Sequence, residues 1–171
     1  MFIGIDYGAQ YAGTTVICYR DRGLFRFERS MKGQESDSWM MERVKGIGPA
    51  AIYMDAPLTL PAAYYGKGND HFFRRADRET GGMSPMFLGG LTARAIQAAS
   101  QWRSSGIEVF EAYPSALVRI EWDYLKIPGR RSIPQHHLRL MAGMFQLLLQ
   151  HPRTDTRPMP GCVGWWGIAI N

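Results

Sequence analysis

The chain has 171 residues, which is the length of one ordinary globular domain. Hydrophobic residues make up 46% of it and aromatic residues 12%, which excludes a generally disordered chain. The formal net charge of +5 favours polyanionic partners such as nucleic acid.

The first thirty residues predict three consecutive antiparallel strands. An apolar run at 2–6 (FIGID) and a run rich in β-branched residues at 14–19 (TTVICY) flank a loop that contains glycines, as in a hairpin. A turn at 21–23 (DRG) leads into 24–29, where phenylalanines alternate with charged residues. This alternation is typical of a half-exposed third strand.

A helix and a central strand follow. Residues 36–46 begin with two serines that can cap a helix and then place Met40, Val44 and Ile47 at helical spacing. The run AAIYMD at 50–55 is apolar on both faces, which is typical of a central strand. Because a helix connects the two, we expect this strand to lie parallel to the first one.

Residues 56 to about 90 form an insert that is too long for a simple connection. It is rich in Pro, Gly and polar residues, and it contains one short predicted helix within HFFRRADRE. Long inserts of this kind are often functional. A helix at 91–102 and a strand at 107–111 (IEVFE) are predicted to follow it.

Two further helices are predicted in the last third of the chain. Pro114 suits the first turn of one, and Ser132 with Pro134 begins the other. The apolar face of the second helix consists of Leu138, Met141, Ala142, Phe145, Leu148 and Leu149. We therefore expect a single domain over 1–150 and an irregular tail over 151–171.

The sequence contains no sign of membrane insertion or of a disulfide framework. No apolar run approaches the roughly 18 residues that cross a bilayer, and Asp6 stands where a signal peptide would be apolar. Cys18 and Cys162 are the only cysteines. We expect a soluble, cytoplasmic protein with no membrane partner.

Three of the predicted strands end in an acidic residue: Asp6, Asp55 and Glu111. In an open α/β sheet the ligand crevice lies beyond the carboxyl ends of the strands, so these side chains are candidates for one site. Carboxylates held close together repel one another, and a divalent cation removes this cost. Oxygen ligands select Mg²⁺ or Mn²⁺, which suits hydrolysis of phosphodiester bonds. The alternative is that each acid only marks where a buried strand reaches solvent.

The opening GIDYG-x₄-GT, followed by a hairpin, resembles the ribonuclease-H-like superfamily. Further along, the chain is similar to a predicted ribonuclease-H-like nuclease family, domain of unknown function 429, in MDAPLTLP, FRRADRETGG, SPMFLGGLTARAIQ and VFEAYPSALVRI. The resemblance covers roughly residues 2–120. It implies an α/β fold with a mixed five-stranded sheet: three antiparallel leading strands, then parallel strands, flanked by helices.

The resemblance also implies a function. Asp6, Asp55 and Glu111 fall on the carboxylates expected to hold the metal of a nuclease that acts on DNA or RNA. The family pattern usually continues to an Asp in a late helix, but the last predicted helix here has no acidic residue and only Asp155 follows. Either Asp155 is a divergent ligand, or the metal site is incomplete. An incomplete site would leave a nucleic-acid-binding or partner-binding domain without catalysis.

Four arginines are candidates for substrate binding: Arg74, Arg75, Arg78 and Arg94. The guanidinium group suits bidentate contact with phosphate. On a helix, Arg74 and Arg78 would share one face, with Asp77 near Arg74. The alternative is a solvated charged helix with internal ion pairs.

Aromatic residues of the insert are candidates for contact with bases. Tyr64, Tyr65, Phe72 and Phe73 could stack on the bases of a single strand, or they could pack in the core or in a lid. The sequence alone leaves both uses open.

A different class of function is suggested by the first loop. The pattern Asp-x-Gly-x₄-Gly-Thr resembles the phosphate-binding hairpin of sugar kinases and actin-like ATPases. Those proteins use two such domains and a second phosphate loop, whereas this chain offers one loop. A nucleotide-phosphate-binding module is therefore the third hypothesis.

Overall fold

The computed structural model describes residues 1–114 and residue 116. Its strands are β1 (Phe2–Asp6), β2 (Val16–Asp21), β3 (Leu24–Arg29), β4 (Ala51–Asp55) and β5 (Glu108–Glu111). Its helices are α1 (Ser36–Ile47), α2 (Arg75–Thr80), α3 (Pro85–Leu88) and α4 (Gly90–Ser104), with a 3₁₀ turn at Ala62–Tyr65. The predicted helix from Pro114 lies largely outside the described residues. The predicted helix from Ser132, the tail over 151–171 and Asp155 lie wholly outside them.

Within the described residues, the strands form one mixed sheet in the order β3-β2-β1-β4-β5. The pairs β1–β2 and β2–β3 are antiparallel, whereas β1–β4 and β4–β5 are parallel. The prediction of a mixed five-stranded sheet with three leading antiparallel strands and flanking helices is confirmed. Because β1 and β4 are parallel and adjacent, their carboxyl ends meet at the same edge of the sheet.

One buried cluster joins alternate residues of the strands to α1 and α4. The strand residues in it include Ile3, Ile5, Ile17, Ile52, Met54 and Val109, and the helix residues include Met40, Val44, Ala95, Ala99 and Trp102. Side chains of a strand alternate between the two faces of the sheet, so this set marks the face on which the helices pack. The alanines of α4 let that helix approach the sheet closely.

Helices α1 and α4 begin and end close to the predicted positions, whereas α2 begins only at Arg75 within the predicted segment and α3 was not predicted. The cap of α1 also differs from the predicted one. The Glu35 side chain, and neither serine, caps α1: its carboxylate accepts hydrogen bonds from the backbone N–H groups of Asp37 and Ser38 at 3.2 and 2.6 Å. Partial burial by itself would raise the pKa of Glu35, but the bonds from Ser38, Gln10 and Asp37 outweigh it and lower the pKa to about 2. No helix in the described part is long and apolar enough to cross a bilayer.

The strands also differ slightly from their predicted bounds. The second strand begins at Val16 instead of residue 14, and the fifth begins at Glu108. In β3 the phenylalanines are only partly covered, and Phe27 is 43% exposed. The prediction of a half-exposed third strand is therefore confirmed, with neither of its faces fully buried.

Gly13 lies in the loop between β1 and β2, where the chain leaves no room for a side chain. Its φ is +69°, and a Cβ atom would lie 2.5 Å from the backbone nitrogen of Lys32. We expect Gly13→Ala to lower the free energy of unfolding by about 1–3 kcal/mol. Gly46→Ala is the matched control, because Gly46 lies in α1 with nothing within 4 Å of its Cβ position. Urea unfolding should show a gain of about 0.5–1 kcal/mol for Gly46→Ala, and a loss there would contradict this account.

Candidate active site

Asp6 and Asp55 lie side by side at the carboxyl edge of the sheet. They are the last residues of β1 and β4, and the register of these parallel strands pairs one with the other. Two side chains that are directly opposite each other in neighbouring strands leave the sheet on the same face. The pairing of β1 with β4 therefore places the two carboxylates next to each other.

Glu111 ends β5 at the same edge, but its register differs by one residue. It lies opposite Met54 and not opposite Asp55. Because strand side chains alternate between faces, this register directs Glu111 to the face of Met54, which belongs to the buried cluster. Glu111 is accordingly 7% exposed, whereas Asp55 is exposed.

Asp55 still responds electrostatically to the other two acids. The pKa of Asp55 is raised from 3.8 to about 7, first by the protein that surrounds its carboxyl group and then by the negative charges of Asp6 and Glu111. Asp55 is exposed as a residue, so the solvent reduces but does not cancel these effects. A cation near Asp6 and Asp55 would lower the pKa of Asp55 and stabilise its charged form.

Glu111 has internal partners on both carboxylate oxygens. Arg74 donates from Nη1 to Oε2 at 2.7 Å and from Nη2 to Oε1 at 2.6 Å. The backbone N–H of Leu58 donates to Oε2 at 3.0 Å, and the hydroxyl of Tyr113 donates to Oε1 at 2.5 Å. Burial and the bond to Glu111 raise the pKa of Tyr113, which keeps it protonated as the donor. In this arrangement Arg74 is the cation that neutralises Glu111.

Arg74 connects the insert to the sheet. It precedes α2, where Asp77 accepts from the Arg74 backbone N–H at 2.8 Å and from its Nη2 at 2.5 Å. Arg74 and Asp77 are 8% and 1% exposed. Burial alone would lower the pKa of Arg74, but hydrogen bonds with Asp77 and Glu111 raise it overall. The insert is therefore attached at the carboxyl edge through one buried guanidinium group.

Arg75 and Arg78 remain at the surface. Arg75 lies 3.4 Å from Glu79, with its side chain 88% exposed. Arg78 pairs with Asp70, and its guanidinium carbon lies 4.9 Å from the centre of the Phe73 ring. The predicted sharing of one helix face by Arg74 and Arg78 is not observed, because α2 begins only at Arg75.

Arg94 belongs to a separate polar cluster that the sequence did not indicate. Its Nε and Nη2 atoms donate to Asp37 at 2.6 Å, and Tyr7 donates its hydroxyl to Asp37 at 2.6 Å. Burial, together with Asp37, raises the pKa of Tyr7. Tyr7 directly follows Asp6, so this cluster fixes the end of β1 against α1 and α4. The hydrogen-bonded pairs of this cluster are 30 and 57 positions apart in sequence, which leaves no local signal to find.

Gly8 is required by the packing of the loop between β1 and β2. A Cβ atom on Gly8 would lie 2.1 Å from Oγ1 of Thr14, and the Gly8 N–H donates to Oγ1 of Thr15 at 3.1 Å. The close approach of the chain within this loop is therefore enough to require a glycine, and no bound phosphate is needed to explain it. The nucleotide-phosphate hypothesis stays a prediction.

A divalent metal would need several of these carboxylates within reach of one ion. Over the described residues, no group of three or more His, Cys, Asp and Glu side chains is arranged to hold one. The Asp6–Asp55 pair alone remains suitable in chemistry, since Mg²⁺ often uses one or two carboxylates together with water and substrate phosphate. Glu111 as a direct ligand stays a prediction that requires Arg74 to release it.

Comparisons with known proteins leave the family open. No protein-family model matches the chain, and no curated protein matches it. The sheet order is compatible with a ribonuclease-H-like fold. The likeness to that superfamily rests on the sequence motifs and on this order of strands.

Proposed function

We propose that the protein is a ribonuclease-H-like phosphodiesterase that depends on a divalent metal and acts on nucleic acid, DNA or RNA. The observation that carries the proposal is the pairing of Asp6 with Asp55 at the carboxyl ends of adjacent parallel strands. The net charge of +5 supports a polyanionic substrate.

In this proposal, Asp6 and Asp55 hold Mg²⁺ or Mn²⁺. When bound, the metal supplies Lewis-acid chemistry, lowering the pKa of water and neutralising charge on phosphate. Asp55 is suited to this role because its charged form is disfavoured until a cation compensates Asp6 and Glu111. Glu111 is not a ligand in this arrangement, because Arg74 holds both of its carboxylate oxygens in an internal ion pair.

A second candidate function is a binding domain of the same fold without catalysis. The observation in its favour is the Arg74–Glu111 pair, which supplies one of the three predicted metal-site acids with an internal cation. Such a domain would bind nucleic acid or another partner with or without metal. For nucleic acid the affinity would fall with added salt and would not respond to a chelator.

Calorimetric titration with MnCl₂ tests the proposal. We expect a binding heat for the wild-type chain that is lost in Asp6→Asn and in Asp55→Asn, because each variant removes one charged oxygen ligand. Asp21→Asn is the matched control, since Asp21 ends β2 and its carboxylate lies 3.6 Å from Nε of the exposed Arg26. Its heat should equal that of the wild type.

Hydrolysis of labelled single-stranded and duplex DNA and RNA in Mn²⁺ completes the test. Cleavage that disappears in both active-site variants and persists in Asp21→Asn supports the phosphodiesterase. Absence of any binding heat in the wild-type chain would overturn it and leave the binding domain as the function.

A further inference from the structure

We infer that Phe72 and Phe87, on the insert between β4 and α4, form a platform on which bases of single-stranded nucleic acid stack. The inference rests on the proposed function and specifies its substrate as a strand with unpaired bases. We call these two residues the aromatic platform.

The platform consists of two phenyl rings that are open to solvent. Phe72 is 56% exposed and Phe87 is 67% exposed. Their ring centres lie 6.1 Å apart at an interplanar angle of 44°. The ring of Phe73 lies nearly perpendicular to that of Phe87, with the ring centres 5.8 Å apart. The sequence left open whether Phe72 stacks on bases or packs in the core or in a lid. Its exposure excludes packing in the core.

Hydrogen bonds join the two backbone segments that carry the rings before any ligand binds. Oδ1 of Asp70 accepts hydrogen bonds from the N–H groups of Phe72 and Phe73 at 2.9 and 3.0 Å. The Ser84 hydroxyl donates to the Phe72 carbonyl oxygen, and Ser84 caps α3, the helix that carries Phe87. Because one serine joins the two segments, the platform loses little conformational entropy when a ligand binds.

Two arginines lie beside the rings, each in an exposed ion pair, Arg78 with Asp70 and Arg75 with Glu79. The guanidinium of Arg78 contacts the ring of Phe73, and the Arg75 side chain is 88% exposed one turn away. Exposed rings flanked by arginines are the combination that single-strand binders use, with bases on the rings and phosphates on the cations. Bases in a duplex are already stacked on one another, so the rings select unpaired bases.

The segment that carries Phe72 is attached to the carboxyl edge of the sheet. Phe73 directly precedes Arg74, whose guanidinium contacts Glu111 at the carboxyl edge of the sheet. Phe72 is two residues from Arg74, which limits the chain between them to about 7 Å. A strand stacked on the platform would therefore be bound to the segment that Arg74 attaches to this edge, where β1 and β4 end in Asp6 and Asp55.

Fluorescence anisotropy in EDTA tests this inference without any hydrolysis. The probes are a labelled oligothymidylate, its duplex with oligoadenylate, and an abasic oligomer of the same length and charge. We expect the wild type to prefer the oligothymidylate, and the double variant Phe72→Ala/Phe87→Ala to weaken its binding about tenfold or more. Phe27→Ala is the matched control, because Phe27 is a phenyl group 43% exposed on β3.

A second variant separates stacking from general apolar contact. Phe72→Leu/Phe87→Leu keeps the apolar packing and removes the π faces, so we expect it to lose most of the oligothymidylate affinity while the free energy of unfolding stays near that of the wild type. Equal binding of the abasic oligomer, or unchanged affinity in both double variants, overturns the inference. So does a concentration-dependent dimer in sedimentation that disappears in the alanine variant, which would assign the rings to contact between copies. Because metal is absent, failure here leaves the calorimetric test of Asp6 and Asp55 unaffected.

Discussion

Arg74→Met is expected to lower the free energy of unfolding by about 3–5 kcal/mol. Arg74 is the only cation that pairs with both Glu111 and Asp77 in the described part of the chain, and both carboxylates are buried. Methionine fills much of the arginine volume but leaves two buried negative charges without a cation to compensate them. Urea unfolding at pH 7, followed by circular dichroism, measures the loss.

The control for this prediction is the neighbouring arginine. Arg75→Met changes an 88% exposed side chain and should alter the free energy of unfolding by less than about 0.5 kcal/mol. The triple variant Arg74→Met/Asp77→Asn/Glu111→Gln should recover a large part of the loss, because no uncompensated charge remains. A loss below about 1 kcal/mol in Arg74→Met would contradict the assignment of Arg74 as the internal cation.

Asp55→Asn should make the metal-free protein more stable while removing the proposed activity. The pKa of Asp55 is raised from 3.8 in the ordinary carboxyl group to about 7 in the folded chain. Between these pH values the carboxyl group of Asp55 keeps its proton in the folded state but has released it in the unfolded state. The stability that this proton contributes is therefore complete below about pH 4. It is lost as the pH rises through about 7. Asparagine does not titrate and avoids this loss.

The expected gain in the free energy of unfolding follows from the pKa shift of Asp55 and is reduced because solvent screens an exposed group. A shift of about three pH units corresponds to about 4 kcal/mol, and the exposure of Asp55 reduces the expected gain to about 1–2 kcal/mol above pH 7. Unfolding of both chains in EDTA at several pH values between about 4 and 8 measures it as a difference that grows with pH. With Mn²⁺ the order should reverse, because only the wild type gains stability from the metal. A constant difference across this pH range would contradict the charge crowding at Asp55, and Asp21→Asn should show no such trend.

Local patterns in the sequence determined the strands and the main helices. The apolar runs before Asp6 and Asp55 are long enough to cross a sheet, and a helix with Met40 and Val44 on one face connects the hairpin to the second run. A helical crossover makes the two strands parallel, so their acidic ends were expected at one edge. Burial periodicity and chain connectivity carry this information, and both are readable without coordinates.

Only the tertiary structure decided the roles of the remaining charged and aromatic residues. Glu111 faces the buried side because β5 pairs Glu111 with Met54, and a register shift of a single residue, which no local pattern records, would reverse its direction. Its partner Arg74 lies 37 positions away in a segment whose mixed charges resemble an ordinary solvated helix. The exposure of Phe72 likewise depends on how the insert folds back through Ser84. A sequence reports which side chains can be buried or charged, whereas the pairing of distant segments decides which of them meet.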